Sequence, residues 1–131
     1  MVNRIAICDD VEVERFVLKR QLMVYFQTNG REAQIQEYES GESLLADIEE
    51  GYIWPDLIFL DIYMNGINGM ETASKIRLWD TSCHIIFVTT SSDFAVDSYE
   101  VKATYYLIKP TTEKILSSIS NMRNINTLPA L

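Results

Sequence analysis

With one histidine, two cysteines and far fewer bases than acids, this chain is unsuited to several functions before any motif is read. His84 stands in the strand-like run CHIIFVTT with no second His or Cys at ligand spacing, so it is expected to be structural or exposed, not a metal ligand. Cys8 and Cys83 form no CxxC pair and are expected to be buried thiols, not a disulfide. Apolar runs last only a few residues, far short of the roughly 20 that a membrane helix needs. The opening MVNRIAICDD lacks a positive region followed by a long apolar segment, so the expectation is a cytoplasmic protein with no secretory signal and no membrane association. Eleven Lys and Arg against nineteen Asp and Glu give a net charge of −8. A domain this acidic lacks the electrostatic footprint for gripping a phosphate backbone, so no direct nucleic-acid contact is expected from it. A glycine-rich phosphate loop with its lysine is also missing, which removes nucleotide hydrolysis of the P-loop type.

What remains is an alternation. At 131 residues the chain fits one domain with one core. NRIAIC (3–8) is a β-branched run and DLIFLD (56–61) is nearly continuous in apolar residues, as in strands covered on both faces. AQIQEY (33–38), HIIFVTT (84–90) and YYLI (105–108) supply three more strands. Between them lie helical stretches. Positions 11–28 place Val11, Leu18, Leu22 and Tyr25 on one face and close at Asn29-Gly30. A second helix opens at Ser40-Gly41, carries Leu44, Leu45 and Ile48, and ends at Gly51. A third, 69–79, buries Met70, Ala73, Ile76 and Trp79, and a short weak fourth covers 92–100. The last is capped by Thr111 or Thr112, with Ile115, Ile119 and Met122 inward. Five strands with helical crossovers predict an α/β fold built on a parallel sheet.

In such sheets functional groups gather at the carboxyl ends of the strands. Those ends carry Asp9 and Asp10, then Asp61, then Thr89 and Thr90, then Lys109. Three carboxylates left together demand a cation, and oxygen-only ligands suit Mg²⁺ before Ca²⁺. Asp61, set directly after the apolar run of its strand, is then the candidate nucleophile, attacking phosphorus to form an acyl phosphate. Phosphoryl transfer needs positioning and charge neutralisation above all. Mg²⁺ would bridge Asp10, Asp61 and one phosphoryl oxygen, Lys109 would pair with a second, and the Thr89 hydroxyl would reach a third.

The segments ICDD, DIYMNGINGME and VTT…YYLIKP resemble the receiver domains of two-component response regulators, over roughly residues 3–125. The resemblance implies a flavodoxin-like (βα)5 doubly wound sheet in the order 2-1-3-4-5. It implies that Asp61 accepts a phosphoryl group from a histidine kinase, that Asp10 and the Tyr63 backbone carbonyl bind Mg²⁺, and that Asp9 acts largely through water. It further implies a switch pair of Thr89 and Tyr106, a lysine at Lys109 followed by a cis peptide to Pro110, and a signal passed to the face of the fourth helix, fifth strand and fifth helix. Phe94, Tyr99 and Tyr105 would serve there as a partner or homodimer face, or Phe94 and Tyr99 would pack beneath the fourth helix. Such a protein is a phosphoacceptor and not a turnover enzyme. The run IIFVTTSSDFAVDSYEVKATYYLIKP is most similar to receivers of LytTR-type transcription factors, so residues 1–125 are expected to be the receiver and 126–131 a linker to an output domain outside this chain.

Four positions depart from the receiver pattern, one of them Tyr105, which replaces a more usual acidic residue and is expected on an exposed face. Asn65 replaces a common proline, which suggests a less rigid loop. Thr90 stands where a small residue is usual, and bulky Tyr63 is positioned to screen an acyl phosphate from water. The rival readings are a Mg²⁺-dependent phosphatase, an interaction module that is never phosphorylated, and a flavin carrier. The phosphatase lacks a second acid at position 63, and the flavin carrier lacks a phosphate-cradling loop after the first strand.

Overall fold

The computed structural model describes residues 2–122, so the expected domain end at 125 and the tail at 126–131 lie outside them. The strands are β1 (Val2–Cys8), β2 (Glu32–Tyr38), β3 (Leu57–Leu60), β4 (His84–Thr89) and β5 (Tyr105–Ile108), and the α-helices are α1 (Glu12–Thr28), α2 (Gly41–Glu49), α3 (Gly69–Trp79) and α4 (Thr112–Asn121). All strand pairs are parallel, in the order β2-β1-β3-β4-β5. The fold is the expected flavodoxin-like doubly wound sheet.

The alternation of side chains along each strand divides the core in two. Ile5, Ile7, Leu57, Phe59, Ile86 and Val88 face α1 and α4, meeting Leu18, Leu22, Phe26, Ile115 and Ile119. Ala6, Cys8, Ile58, Leu60, Ile85 and Phe87 face the other way, toward Leu44, Leu45, Ala73 and Ile76 of α2 and α3. Every residue of β3 is buried, as a central strand requires, whereas edge strand β2 keeps most of its residues at least partly exposed. Both cysteines are buried and free, and the half-buried His84 pairs through Nδ1 with the Thr104 hydroxyl at 3.0 Å.

Four local expectations change. Val11 is the exposed N-cap of α1, and Phe26 takes the buried place on that helix, with Tyr25 only partly buried beside it. Trp79 is half exposed at the end of α3. Thr111 occupies the N-cap of α4 without a side-chain capping bond. The expected fourth helix is a run of turns ending in a 3-10 turn, Asp97–Val101, closed by left-handed Lys102. Ser91 and Ser98 explain this locally: the Ser91 hydroxyl accepts from the Asp93 N–H and the Ser98 hydroxyl donates to the Ala95 carbonyl, competing with a regular helix. Among the described residues no helix is long and apolar enough to cross a membrane.

Candidate functional site

Backbone pairing carries the sheet one residue past its strands and so aims the site. The Asp9 N–H donates to the Tyr38 carbonyl at 3.0 Å, the Asp61 N–H to the Cys8 carbonyl at 3.0 Å, and the Lys109 N–H to the Thr89 carbonyl at 2.8 Å. These bonds set Asp9, Asp61 and Lys109 side by side at the carboxyl edge. One carboxylate oxygen each from Asp9, Asp10 and Asp61 lies within 4.8 Å of the others. Lys109 Nζ reaches across to Asp9 Oδ2 at 2.9 Å and Asp61 Oδ2 at 3.4 Å, with Glu14 at 3.9 Å. A cleft of about 330 Å³ opens on this cluster, bordered by Asp9, Glu14, Asp61, Thr90 and Lys109.

The electrostatics follow from crowding. Burial pushes the Asp61 carboxyl up, Lys109 pulls it back, and Asp9 adds repulsion, leaving it above the usual aspartate range. Burial alone would lower the Lys109 ammonium, but its bond to Asp9 and the charges of Asp61 and Glu14 outweigh that and raise it. Cys8, whose Sγ lies 3.7 Å from Met64 Sδ, is pushed up to about 12 by burial and then by the neighbouring Asp9 and Asp61, so it stays a neutral thiol.

Thr89 is fully buried, and its Oγ1 has no hydrogen-bond partner. A hydroxyl in that state is costly unless it has a task. Tyr106, on β5, is half-buried with its ring 6.0 Å from that of Phe87. Its hydroxyl donates to the Ser91 carbonyl and accepts from the Phe94 N–H at 3.4 Å. Tyr63 grips the same loop from the other side, its hydroxyl donating to Asp93 Oδ2 at 3.0 Å and its ring meeting Phe94 edge-on at 6.0 Å. Phe94 thus packs against the core while Tyr99 is strongly exposed, so the two aromatics expected to share a fate divide. Tyr105 packs partly buried against the α1/α4 core. The Lys109-Pro110 peptide is cis.

The loop after Asp61 is tied down by backbone N–H groups. At Asn65 the N–H donates to Asp10 Oδ2 at 3.3 Å, a tie to the acidic cluster that no proline could make. Further on, the Ile67 N–H donates to Glu42 Oε2 at 3.0 Å, and the Gly69 N–H to the Ile62 carbonyl at 2.8 Å. Asn68 then caps α3 in a full capping box with Glu71. Sequence reading missed Glu14, Arg15, Glu42 and Asp93. Glu14 and Arg15 were within reach of it, since the first turn of α1 must face the cluster; Arg15 donates to the Asp9 carbonyl at 2.7 Å.

The donor set fits a hard divalent cation: three carboxylates converge, partly buried, with a cleft beside them for water. A five-stranded parallel sheet of this order with such an edge defines the receiver class of fold. The chain belongs to the response regulator receiver domain family, whose family model matches residues 5–120. It is 45% identical over 78 residues to sensory transduction protein LytT of Oceanobacillus iheyensis, covering 58% of this chain and 31% of that protein. LytT of Bacillus subtilis is 28% identical over 124 residues, 94% of this chain and 49% of its own length. The chain therefore spans a third to a half of these curated relatives. Among solved structures, response regulator TrrA of Thermotoga maritima, in complex with Mg²⁺ and BeF, superposes with a TM-score of 0.75 at 30% identity, covering 90% of this chain and 96% of that one.

Proposed function

We propose that this receiver domain takes a phosphoryl group onto Asp61 from the phosphohistidine of a sensor histidine kinase. The observation that carries the reading is Lys109 Nζ held between Asp9 and Asp61, at the end of the strand paired with the one that ends in Thr89, whose buried hydroxyl is unpartnered. An Asp61 carboxylate oxygen attacks phosphorus as the phosphorus–nitrogen bond breaks. The electron pair returns to the imidazole, which takes up a proton from water. Asp10, Asp61 and the Tyr63 carbonyl would hold Mg²⁺, with Asp9 acting through water, and the ion would supply neutralisation of the phosphoryl charge. Lys109 shifts its ion pair to the transferred group. Thr89 turns its hydroxyl toward that group, which satisfies its orphan oxygen and frees space for the Tyr106 ring to move inward.

Tyr106 holds the 91–94 loop by two hydrogen bonds, so its movement would reshape the face of the 3-10 turn, β5 and α4. That face, with Tyr99 exposed on it, is where the domain would meet a second copy or its output partner. In this reading residues 1–125 form the receiver and 126–131 begin a linker, the protein acts in the cytoplasm, and DNA is touched only through a LytTR-type output domain. The greater length of the LytT relatives supports that arrangement.

The test is intact mass after incubation with acetyl phosphate, with and without Mg²⁺, beside Asp61→Asn. A Mg²⁺-dependent gain of one phosphoryl group, absent from the variant, is expected. No gain from acetyl phosphate or from a broad-specificity histidine kinase would leave an interaction module that is never phosphorylated.

A further inference from the structure

We propose that Glu42, on helix α2 and apart from the clustered acids that follow β1 and β3, is a positioning residue that holds the loop after Asp61 in register with the cation site; this rests on the reading of that cluster as a Mg²⁺-assisted phosphoryl acceptor. The loop from Tyr63 to Asn68 carries the Tyr63 carbonyl and Asn65, whose N–H meets Asp10. Asn65 is tied to the site itself, and Gly69 is tied back to neighbouring Ile62. The Ile67–Glu42 bond ties the loop to a separate element, α2.

The sequence builds this anchor from two glycines. At Gly41 an added Cβ would lie 2.1 Å from Thr72 Oγ1 and 2.9 Å from Ile67 Cγ1, so only glycine lets the start of α2 come this close to the loop and α3. At Gly66, φ is +79°, and a Cβ would lie 2.4 and 2.8 Å from the two Glu42 carboxylate oxygens. The carboxylate therefore lies directly over the Gly66 backbone. It also sits in the first turn of α2, where the helix dipole favours a negative charge. The Ile67 N–H and its own N–H hold its carboxyl below the usual glutamate range, against a smaller opposing effect of burial.

Where proline is common in receivers, this chain has Asn65, and the stiffness a proline would give is supplied by two carboxylate anchors, Asp10 inside the site and Glu42 outside it. Groups that orient the ligands of a metal cost tenfold or more in affinity when removed.

The test uses the full chain with Glu42→Ala and Glu42→Gln. In metal-free protein, amide exchange at Asn65 and Ile67 is followed by NMR, and Mg²⁺ affinity is then taken from amide shifts. In Glu42→Ala both amides should exchange about tenfold faster and Mg²⁺ should bind about tenfold more weakly. Glu42→Gln keeps an oxygen that accepts from Ile67 and should stay within about threefold of the parent, on the scale of a neutral hydrogen bond replacing a charged one. Parental exchange at Asn65 in Glu42→Ala overturns the proposal, as does Glu42→Gln behaving like Glu42→Ala, because charge and not position would then be at work. A parent that binds no Mg²⁺ would sink the cation reading, while the exchange data would still decide whether Glu42 holds the loop.

Discussion

Lys109 Nζ lies closer to Asp9 than to Asp61, 2.9 Å against 3.4 Å, so the lysine is committed mainly to the companion acid. All three side chains are less than 15% exposed. Removing one partner of such a set leaves charges facing one another without compensation. Lys109→Met is therefore expected to destabilise the metal-free protein by about 2–4 kcal/mol, less than for a fully buried pair because the cleft admits water. Urea unfolding measures this, and phosphorylation by acetyl phosphate should fall with it. A Lys109→Met protein as stable as the parent in chelator would show that the ion pairs are only incidental.

The same crowding predicts how Mg²⁺ acts on stability. At ten times its dissociation constant, a cation bound only by the folded state adds about 1.4 kcal/mol. Asp61 gives this gain a pH dependence. Its carboxyl is raised by burial and by Asp9, so the stability it contributes is complete below its unfolded pKa and is lost as pH rises through the folded one. The metal-free protein thus carries the cost of an ionised Asp61 at neutral pH, where Mg²⁺ relieves it, and much less of it near the ordinary aspartate range. Thermal melts in Mg²⁺ and in chelator should differ most at pH 7 and converge toward pH 4. Asp10→Asn should remove most of the difference at both.

The screening role expected of Tyr63 predicts that it sets how long a phosphoryl group on Asp61 survives. It leans from the Asp61 loop onto Asp93 and Phe94, bridging the loops that follow β3 and β4. Tyr63→Asn removes the ring and should shorten the acyl phosphate lifetime by about tenfold, the lower end of what water-excluding and positioning groups contribute. Tyr63→Phe keeps the ring without the bond to Asp93 and should fall between. Loss of 80 Da followed by mass spectrometry after the donor is removed reads the rate directly. A Tyr63→Asn protein that keeps its phosphoryl group as long as the parent would refute the screening role.

The site was more legible than its supports. Asp9, Asp61, Thr89 and Lys109 could be found because a parallel sheet sends its strand ends to one edge, and a one-dimensional pattern of strands suffices to locate them. Asn65 and Glu42 could not be read this way. The Asn65 contribution is a backbone N–H, which leaves no residue-type signature, and Glu42 acts through a close approach of α2 that Gly41 permits only once the fold is assembled. The segment 92–100 reads as a weak helix former, but the hydroxyls of Ser91 and Ser98 favour turns and a 3-10 connection instead.

Helix α1 shows the limit of periodicity, and it yields a direct test. Val11, Val13, Phe16, Val17, Met23 and Val24 are all exposed on it, so apolar residues surround the helix and do not single out one stripe. Leu18 and Leu22 are common to both the expected and the observed faces; the third contact is Phe26, four residues on from Leu22 and 1% exposed, with the Arg31 guanidinium 5.1 Å from its ring centre. Phe26→Ala should cost about 3–5 kcal/mol through lost burial and a residual cavity. Val11→Ala, at an exposed N-cap whose side chain caps nothing, should change stability by less than about 0.5 kcal/mol. Denaturant midpoints for the two variants decide the matter: equal losses would mean that α1 sits on the sheet with the face first expected from its sequence, rotated from the one described.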